Sequence, residues 1–380
     1  MATALPNKLP NNDQELIPWV TKLIVQAHAQ QASDLHIDPQ ANGAQIRLRI
    51  DGLLQDWQFL PTLWYTRLVS RIKVLAQMDL AERRLPQDGR LLDSNIGPGH
   101  IRVASLPTLF GEKLCLRFSD PGHSPSLAQL NMPLATRQAL EHALSLPQGL
   151  ILITGPTGSG KTTTLYACLE RLNQRNRHIA TVEDPIERVM PGIVQTNVQP
   201  RIGLDFPVIL RALLRQDPDV LMVGEIRDGE TAAMAVQAAE TGHIVLSTLH
   251  TSSALDALNR LRHLGIADYL IVDTVSFVLA QRLVRKCNGP DSYDGRIGLY
   301  EHITKSHELA RAWMAGTDRE QLENIALRAG WPTLNSSAQE ALAEGLTNAH
   351  ELARVLGYNP QHTTTLRVAE TTKPITPGRH

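Results

Sequence analysis

A glycine-rich turn between an apolar strand and a helix constrains the fold of this chain more than any other feature. The segment GLILITGPTGSGKTTTLYACL runs from Gly149 to Leu169. Leu150 to Ile153 has the length and β-branched content of a buried strand, and the pattern from Thr162 to Leu172 predicts a helix. The turn between them fits G-x-x-x-x-G-K-[ST], in which backbone N–H groups and a helix N-terminus surround phosphate oxygens.

This turn carries the groups that hold a nucleoside triphosphate. Lys161 can reach the β- and γ-phosphates, and the Thr162 hydroxyl can ligate Mg²⁺. An ordinary glycine-rich loop is the alternative, but the spacing and the strand-to-helix context both favour binding of ATP or GTP. The residues predicted to bind the nucleotide are Gly155, Pro156, Thr157, Gly158, Ser159, Gly160, Lys161, Thr162 and Thr163.

Composition limits the compartment and the partners. The 380 residues with 42% hydrophobic content can form about two to three packed domains. The net charge of −1 supplies no overall basic field for nucleic acid. The chain has no apolar run of the roughly 20 residues that cross a bilayer, and its polar N-terminus lacks a signal-peptide core, so we expect a cytoplasmic protein. The cysteines, Cys115, Cys168 and Cys287, are expected to be reduced thiols used in packing.

Periodicity divides the chain into an α+β domain, a P-loop domain and a helical C-terminal region. A helical pattern, alternating strands and a second helix from Leu63 to Met78 precede a linker rich in Ser, Pro and Gly. Strands and helices then alternate, which is typical of a parallel sheet. Asp268 to Arg285 and the segments from His307 to Leu356 are interpreted as helices. The predicted divisions are an N-terminal tail (1–14), the α+β domain (15–118), the linker (119–133), the P-loop domain (134–303), the helical region (304–359) and a disordered tail (360–380).

Acidic residues follow two of the predicted strands. Glu183 and Asp184 come after the strand that follows the P-loop helix, and Glu225 comes after the apolar run Val220 to Val223. P-loop enzymes place acids for Mg²⁺ or water at such positions. Because Gly224 rather than Asp precedes Glu225, we interpret Glu225 as the group that orients or deprotonates water. The alternative is a solvated residue at a strand end.

Two histidines bracket the next strand, in TGHIVLSTLHT. His243 and His250 could each sense the γ-phosphate or contact a neighbouring subunit. A lone histidine at a strand end can equally be a satisfied hydrogen-bonding group. Both interpretations remain open on the residues alone.

Four stretches together resemble the secretion ATPases of type II secretion and type IV pilus assembly. GPTGSGKTTTLYA, VEDPIE, LRALLRQDPDVLMVGEIRDGETA and AAETGHIVLSTLHT are similar, in order and spacing, to the Walker A motif, Asp box, atypical Walker B motif and His box of that family. ASDLHIDP, RIDGLL, AERRLPQDGR and SLPTLFGEKLCLRF upstream, and AQRLVRK and GRIGLYE downstream, extend the resemblance over roughly Glu15 to Gly357.

The resemblance implies an α/β fold and a set of catalytic residues. The expected fold is a RecA-like P-loop motor domain with a parallel sheet, preceded by a PAS-like α+β domain and followed by a small helical region. A guanidinium can neutralise charge on a γ-phosphoryl group, which is the role implied for Arg90 and Arg102. The alternative is that both are solvated arginines on strands. The implied catalytic residues are Glu183 and Glu225 as an acidic pair, His243 and His250 as the His box, and Arg90 and Arg102 as arginines from the N-terminal domain.

The function implied by the resemblance is mechanical. We expect ATP and Mg²⁺ as cofactors, a homo-hexamer at the cytoplasmic face of the inner membrane, and a polytopic platform protein through which the motor acts on pilin-like proteins. A pilus retraction ATPase and a non-hydrolysing nucleotide-binding scaffold are the alternatives. A DNA-translocating motor is disfavoured by the neutral charge balance and the lack of interleaved aromatic and basic residues, so we expect no direct contact with nucleic acid.

Two features depart from the family pattern. The chain starts almost at ASDLHIDP, so we expect it to lack the N-terminal docking domain that many members carry. Where members carry paired CxxC motifs, this sequence has CNGPDSYD with Cys287 alone, which predicts that no zinc site forms there. The segment from Asn288 to Asp294 is instead predicted to be a tight turn between a helix ending near Lys286 and the GRIGLYE strand.

Overall fold

Two β-sheets, each with helices packed against it, organise the chain. The structure is a computed structural model that describes residues 9–10, 12–91, 101–118, 125–289 and 292–357. The predicted tail 360–380 lies outside the described residues, as do parts of the predicted tail 1–14 and linker 119–133. In the described part of the chain no helix combines the length and the apolar character needed to cross a membrane.

The N-terminal sheet is antiparallel, with the strand order β3-β2-β1-β6-β5-β4. The first helix begins where the Asn12 side chain accepts a hydrogen bond from the Glu15 N–H at 3.0 Å. That helix and the next pack on the sheet and enclose a core containing Leu23, Leu35 and Leu68. The two helices and the alternating strands predicted here are confirmed, with the second helix ending at Leu75 rather than at Met78. The elements are α1 (Asp13–Ala29), β1 (Asp34–Gln40), β2 (Gly43–Ile50), β3 (Leu53–Pro61), α2 (Thr62–Leu75), β4 (Gln87–Leu91), β5 (Ile101–Thr108) and β6 (Gly111–Phe118).

The second sheet has seven strands in the order β13-β12-β7-β11-β10-β8-β9. In this order, each strand from β12 through to β9 is parallel to its neighbours, and β13 runs antiparallel to β12 at the edge of the sheet. Large apolar clusters cover both faces, as a parallel sheet requires. The α/β fold with a parallel sheet is therefore confirmed. Up to its last strand the elements are α3 (Leu134–Ser145), β7 (Gly149–Thr154), α4 (Lys161–Leu172), β8 (Ile179–Glu183), β9 (Val194–Asn197), α5 (Phe206–Leu213), β10 (Val220–Val223), α6 (Gly229–Glu240), β11 (Ile244–Leu249), α7 (Ala254–His263), α8 (Asp268–Thr274), β12 (Val275–Cys287) and β13 (Tyr293–Thr304), with 3₁₀ turns at Leu127–Leu130 and Pro200–Ile202.

The helix predicted over Asp268 to Arg285 is wrong. Only α8 is helical, and the chain then continues as the 13-residue strand β12, which pairs with the P-loop strand β7. Residues Val275 to Arg282 are all buried, so the strand shows no alternation of apolar and polar residues that would separate it from a buried helix. The turn predicted after Lys286 consequently follows a strand rather than a helix, and its last two residues, Tyr293 and Asp294, already belong to β13.

The C-terminal region is helical, as predicted. Two of its helices pack against β12 and β13 around a small cluster that includes Val284, Leu299 and Leu352. Glu351 is fully buried there and binds Arg285 of β12 at 2.9 Å. The elements are α9 (His307–Met314), α10 (Arg319–Arg328), α11 (Leu334–Ala343) and α12 (Ala349–Leu356).

Candidate nucleotide-binding site

The P-loop lies between the end of β7 and the start of α4 and is pressed against β12. Gly155 and Gly160 have φ values of 149° and 87°, which favour glycine. A Cβ on Gly155 would lie 2.5 Å from the Gln281 carbonyl oxygen, and one on Gly160 would lie 2.7 Å from Gln281 Nε2. Glycine at both positions allows the turn to pack closely on β12.

Two donors in the P-loop are suited to a phosphate group. The Lys161 ammonium donates to two carbonyl oxygens of its own loop, at 2.8 Å to Gly155 and 3.0 Å to Pro156. Burial lowers the pKa of Lys161 to about 8. The buried Ser159 hydroxyl has no hydrogen-bond partner among the described residues. An ammonium held by carbonyls and an unpartnered hydroxyl are groups that a triphosphate would satisfy, so the loop fits the predicted ligand.

A large cleft of about 890 Å³ separates the P-loop from the N-terminal domain. Asp34, Arg49, Asp51 and Arg117 of the N-terminal domain line one wall, and the P-loop lines the other. Across the domain boundary, Arg296 Nε approaches Asp51 Oδ1 at 3.7 Å. The cleft has the size and charge of a nucleotide site between two domains.

Glu225 and His250 meet in this cleft at the ends of adjacent strands. The Glu225 carboxylate accepts a hydrogen bond from Arg227 Nη2 at 2.5 Å, and its other oxygen lies 3.5 Å from His250 Nε2. The Glu225 side chain is 17% exposed, which leaves it open to the cleft. Its negative charge also raises the pKa of Lys161, which partly offsets the lowering by burial. The structure therefore brings together Glu225, His250 and the P-loop lysine.

Glu183 also borders the cleft, but protein donors occupy its carboxylate. Tyr166 Oη donates to Oε2 at 2.5 Å, while Thr181 Oγ1 and Gln195 Nε2 donate to Oε1 at 2.7 and 3.0 Å. The residue is only 4% exposed. The carboxylate is thus fixed in position by three side chains.

His243 lies at the amino ends of the parallel strands, on the side of the sheet away from the P-loop. It immediately precedes β11, whereas His250 follows the same strand. The His243 carbonyl accepts from the Gly149 N–H at the start of β7, and its Nδ1 lies 2.9 Å from the Ala238 oxygen. The structure therefore does not bring His243 to the P-loop of its own chain, because the amino ends of the parallel strands lie on the far side of the sheet from that turn. Its place in the implied His box stays a prediction.

Four arginines and one aspartate form a continuous row across the N-terminal sheet. Arg90 pairs with Arg102, Arg102 with Arg117, Arg117 with Asp34, and Asp34 with Arg49 in the strand register. Residues directly opposite one another on neighbouring strands share a face of the sheet. We call this set the arginine row. Asp34 binds Arg117 Nε at 2.9 Å and approaches Arg49 Nε at 3.7 Å.

The arginine row spans two cavities. In the described part of the chain, Arg90 and Arg102 line a neighbouring cavity of about 460 Å³ rather than the P-loop cleft, and Arg117 lines both. Arg102 Nη2 approaches Glu187 Oε1 of the P-loop domain at 3.4 Å. The two predicted arginines therefore face the P-loop domain one cavity away from the phosphate-binding turn.

Sequence reasoning missed five arginines that line the cleft: Arg49, Arg117, Arg282, Arg296 and Arg354. Arg282 is 9% exposed and donates through Nη2 to the Ser252 carbonyl at 2.7 Å. Burial lowers its pKa. Basic residues alternate with apolar ones around Arg49. This alternation would have identified the face of the strand that carries the arginine, but not that this face lies across the cleft from the P-loop.

The Thr162 hydroxyl, the ligand predicted for Mg²⁺, lines the cleft, and the carboxylates of Asp184 and Glu225 lie in the same cleft. For a softer metal, one group of three candidate ligands occurs among the described residues: Asp34, His36 and Cys115. Asp34 already accepts from Arg117, and burial raises the pKa of the Cys115 thiol. Neutral sulfur and a paired carboxylate are poor ligands, so this group does not alter the prediction of a zinc-free chain.

Comparison with known proteins gives consistent matches over most of the chain. Residues 10–354 match the model of the family described as type II/IV secretion system protein. The chain is 41% identical over 365 residues to the protein transport protein HofB homolog of Haemophilus influenzae, covering 92% of this chain and 75% of the relative. It is 39% identical to the type IV pilus assembly ATPase PilB of Acinetobacter baylyi, covering 90% and 67%.

A solved structure confirms the fold. The crystal structure of the pilus retraction motor PilT with bound ADP superposes with a TM-score of 0.67 at 27% identity, covering 88% of this chain and 96% of that one. The RecA-like motor domain predicted from the sequence is therefore confirmed.

Proposed function

The chain belongs to the type II/IV secretion system protein family, and on this premise we propose that it is an ATP-hydrolysing motor for pilus or pseudopilus assembly. The observation that carries the proposal is the two-walled cleft, in which Lys161, Glu225 and His250 share the lining with Arg49 and Arg117 of the arginine row. Phosphate-binding, water-activating and charge-neutralising groups are then available around one triphosphate.

The chain's own residues divide the chemistry between them. The P-loop N–H groups and Lys161 hold the β- and γ-phosphates, and Thr162 would hold Mg²⁺, which neutralises phosphate charge when bound. Glu225 accepts a proton from the attacking water, and His250 lies close enough to orient the Glu225 carboxylate. Glu183 is the second acid, fixed beside the cleft.

The mechanical step is closure of the N-terminal domain over the nucleotide. The ion pairs seen between the domains, Arg102 with Glu187 and Arg296 with Asp51, involve partly exposed groups and stabilise the present arrangement only weakly. A bound triphosphate attracts the arginine row, and loss of the γ-phosphate weakens that attraction. The difference in binding between ATP and ADP then becomes a change in domain position.

The names of the relatives support a role in pilus assembly or protein transport. PilB is described as an assembly ATPase and HofB as a transport protein. The proposed form is a homo-hexamer in the cytoplasm at the inner membrane that acts through a polytopic platform protein on pilin-like subunits of a type IV pilus, a competence pseudopilus or a type II secretion pseudopilus. Retraction is the alternative motor function, favoured by the likeness to PilT.

The test is ATPase activity of the purified full chain across protein concentration, with molecular mass measured in the same samples. The proposal expects phosphate release that rises with the fraction of hexamer. Nucleotide binding without turnover at any concentration would identify a scaffold instead and refute the motor.

A further inference from the structure

Tyr166 connects the P-loop helix to the segment that contacts the N-terminal domain, and the chemistry above leaves it without a role. It lies in the second turn of α4, whose first residue is Lys161. Its hydroxyl donates to Glu183 at 2.5 Å and accepts from the N–H groups of Glu187 and Arg188 at 3.3 and 3.2 Å. One oxygen atom therefore joins α4, the end of β8 and the segment beyond it.

The environment keeps this hydroxyl protonated. Tyr166 is 3% exposed. Burial, followed by the hydrogen bond and charge of Glu183, raises the pKa of Tyr166 far above its ordinary value. The hydroxyl therefore remains a donor to Glu183 and an acceptor for both backbone N–H groups at physiological pH.

The segment after Glu183 is held as a unit and reaches the arginine row. Asn197 Oδ1 accepts from the Ile186 N–H at 2.9 Å, and Gln195 Nε2 donates to the Arg188 carbonyl at 2.9 Å. Its Glu187 makes the 3.4 Å contact with Arg102. A movement of α4 would therefore shift Glu187 through the hydrogen bonds of Tyr166.

We infer that Tyr166 is a positioning residue that couples the occupied P-loop to Arg102, with Glu183 as the acceptor that fixes its hydroxyl. The coupling rests on the proposed ATP hydrolysis. Glu183 then acts by holding the segment rather than by activating water, which agrees with the three side-chain donors that already occupy its carboxylate.

The first experiment compares Tyr166→Phe with wild type in steady-state hydrolysis of Mg-ATP by the full chain. A small misplacement of groups around a reacting centre costs on the order of 10- to 100-fold, so we expect kcat to fall by at least about 10-fold while KM changes less than about twofold. Tyr300→Phe is the matched control, because Tyr300 is buried and donates to the Leu130 carbonyl at 3.0 Å, away from the cleft. It should retain wild-type kcat.

The second experiment combines Tyr166→Phe with Arg102→Ala. If Tyr166 acts through Arg102, the double variant should be no slower than Arg102→Ala alone. Effects that multiply, a Tyr166→Phe loss shared equally between kcat and KM, or the same loss in Tyr300→Phe would each overturn the coupling. Full activity in Arg102→Ala would overturn it as well.

Lys161→Ala separates this inference from the proposed function. Wild-type hydrolysis that is no faster than that of Lys161→Ala would refute the proposed function itself. Hydrolysis that depends on Lys161 but is unchanged in Tyr166→Phe would refute the coupling alone.

Discussion

Replacing Glu351 by glutamine should loosen the C-terminal helices from the motor sheet. The fully buried carboxylate on α12 accepts three hydrogen bonds from Arg285 of β12, from its backbone N–H at 3.0 Å, Nε at 3.1 Å and Nη2 at 2.9 Å. Arg354 adds two more, from Nε at 2.8 Å and Nη2 at 2.5 Å. Glutamine keeps the volume but removes the charge that balances both guanidinium groups.

Two lines of reasoning give a similar magnitude. Removing one partner of a buried ion pair costs about 3 to 5 kcal/mol, and the lower end applies because the Arg354 side chain is 34% exposed and regains water. Burial by itself would raise the pKa of Glu351, but hydrogen bonds from Arg354 and Arg285 outweigh it and hold the pKa at about 2, against an ordinary 4.5. That difference corresponds to about 3 kcal/mol of folding free energy.

The pH dependence has a definite sign. The pKa of Glu351 is lower in the folded chain than in the unfolded chain, so its stabilisation is complete above the unfolded value of 4.5 and is lost as the pH falls toward 2. Glutamine does not titrate. The difference in unfolding free energy between wild type and Glu351→Gln should therefore shrink by about 1 kcal/mol between pH 7 and about pH 3.5.

The assay is urea unfolding followed by circular dichroism, with hydrogen exchange of α11 and α12 to locate the change. Glu308→Gln is the control, since Glu308 pairs with Arg328 at 2.9 Å on the surface, where such pairs contribute less than about 1 kcal/mol. If Glu351→Gln were no less stable than Glu308→Gln, or if its deficit were independent of pH, the reasoning about this buried charge would be refuted.

Further outcomes follow from the arginine row and the cysteines. Arg90→Ala and Arg102→Ala should each lower ATP turnover more than nucleotide affinity, measured by steady-state rates and by equilibrium titration, and an unchanged rate would make them ordinary surface arginines. Arg117→Ala should lower turnover at least as much as Arg90→Ala, because Arg117 lines both cavities; a smaller loss would contradict its place in the site. A chelator should leave the unfolding midpoint unchanged with Mg-nucleotide held constant, and elemental analysis should find zinc well below one atom per chain. Bound zinc that is lost in Cys287→Ser would contradict this.

The phosphate-binding half of the site could be predicted because its chemistry is local in the sequence. The P-loop glycines, Lys161 and Thr162 lie within a few residues of one another, and their spacing alone specifies a turn between strand and helix. Glu225 could be placed because acids that follow parallel strands collect at one edge of the sheet. Its contact with His250 follows from the pairing of β10 with β11.

The other half of the site, formed by the N-terminal domain, depends on strand register and on how the two domains meet. The arginine row is formed by residues from five strands of one antiparallel sheet, and a shift of one residue would turn a strand's side chains to the other face. Sequence reasoning selected Arg90 and Arg102 by resemblance but had no means of placing Arg49 or Arg117 against the P-loop. The cleft exists only once the two sheets are packed together.

The wrong helix and the unforeseen position of His243 have related causes. Buried parallel strands show no alternation, so Asp268 to Arg285 could not be distinguished from a helix by its apolar residues. His243 and His250 bracket the same strand, and sequence proximity conceals the fact that a strand has two ends at opposite edges of the sheet. Tyr166 was overlooked because its partners, Glu183 and the segment after it, are distant in sequence from α4.

The most direct test of the central claim measures ATP binding and phosphate release for Glu225→Gln beside Lys161→Ala and wild type. If Glu225 accepts the proton of the attacking water, Glu225→Gln should retain ATP with near wild-type affinity while hydrolysis falls by about 10²-fold or more, the loss expected for a general base. Lys161→Ala should instead bind ATP weakly. Wild-type turnover in Glu225→Gln, or loss of ATP binding equal to that in Lys161→Ala, would contradict the account.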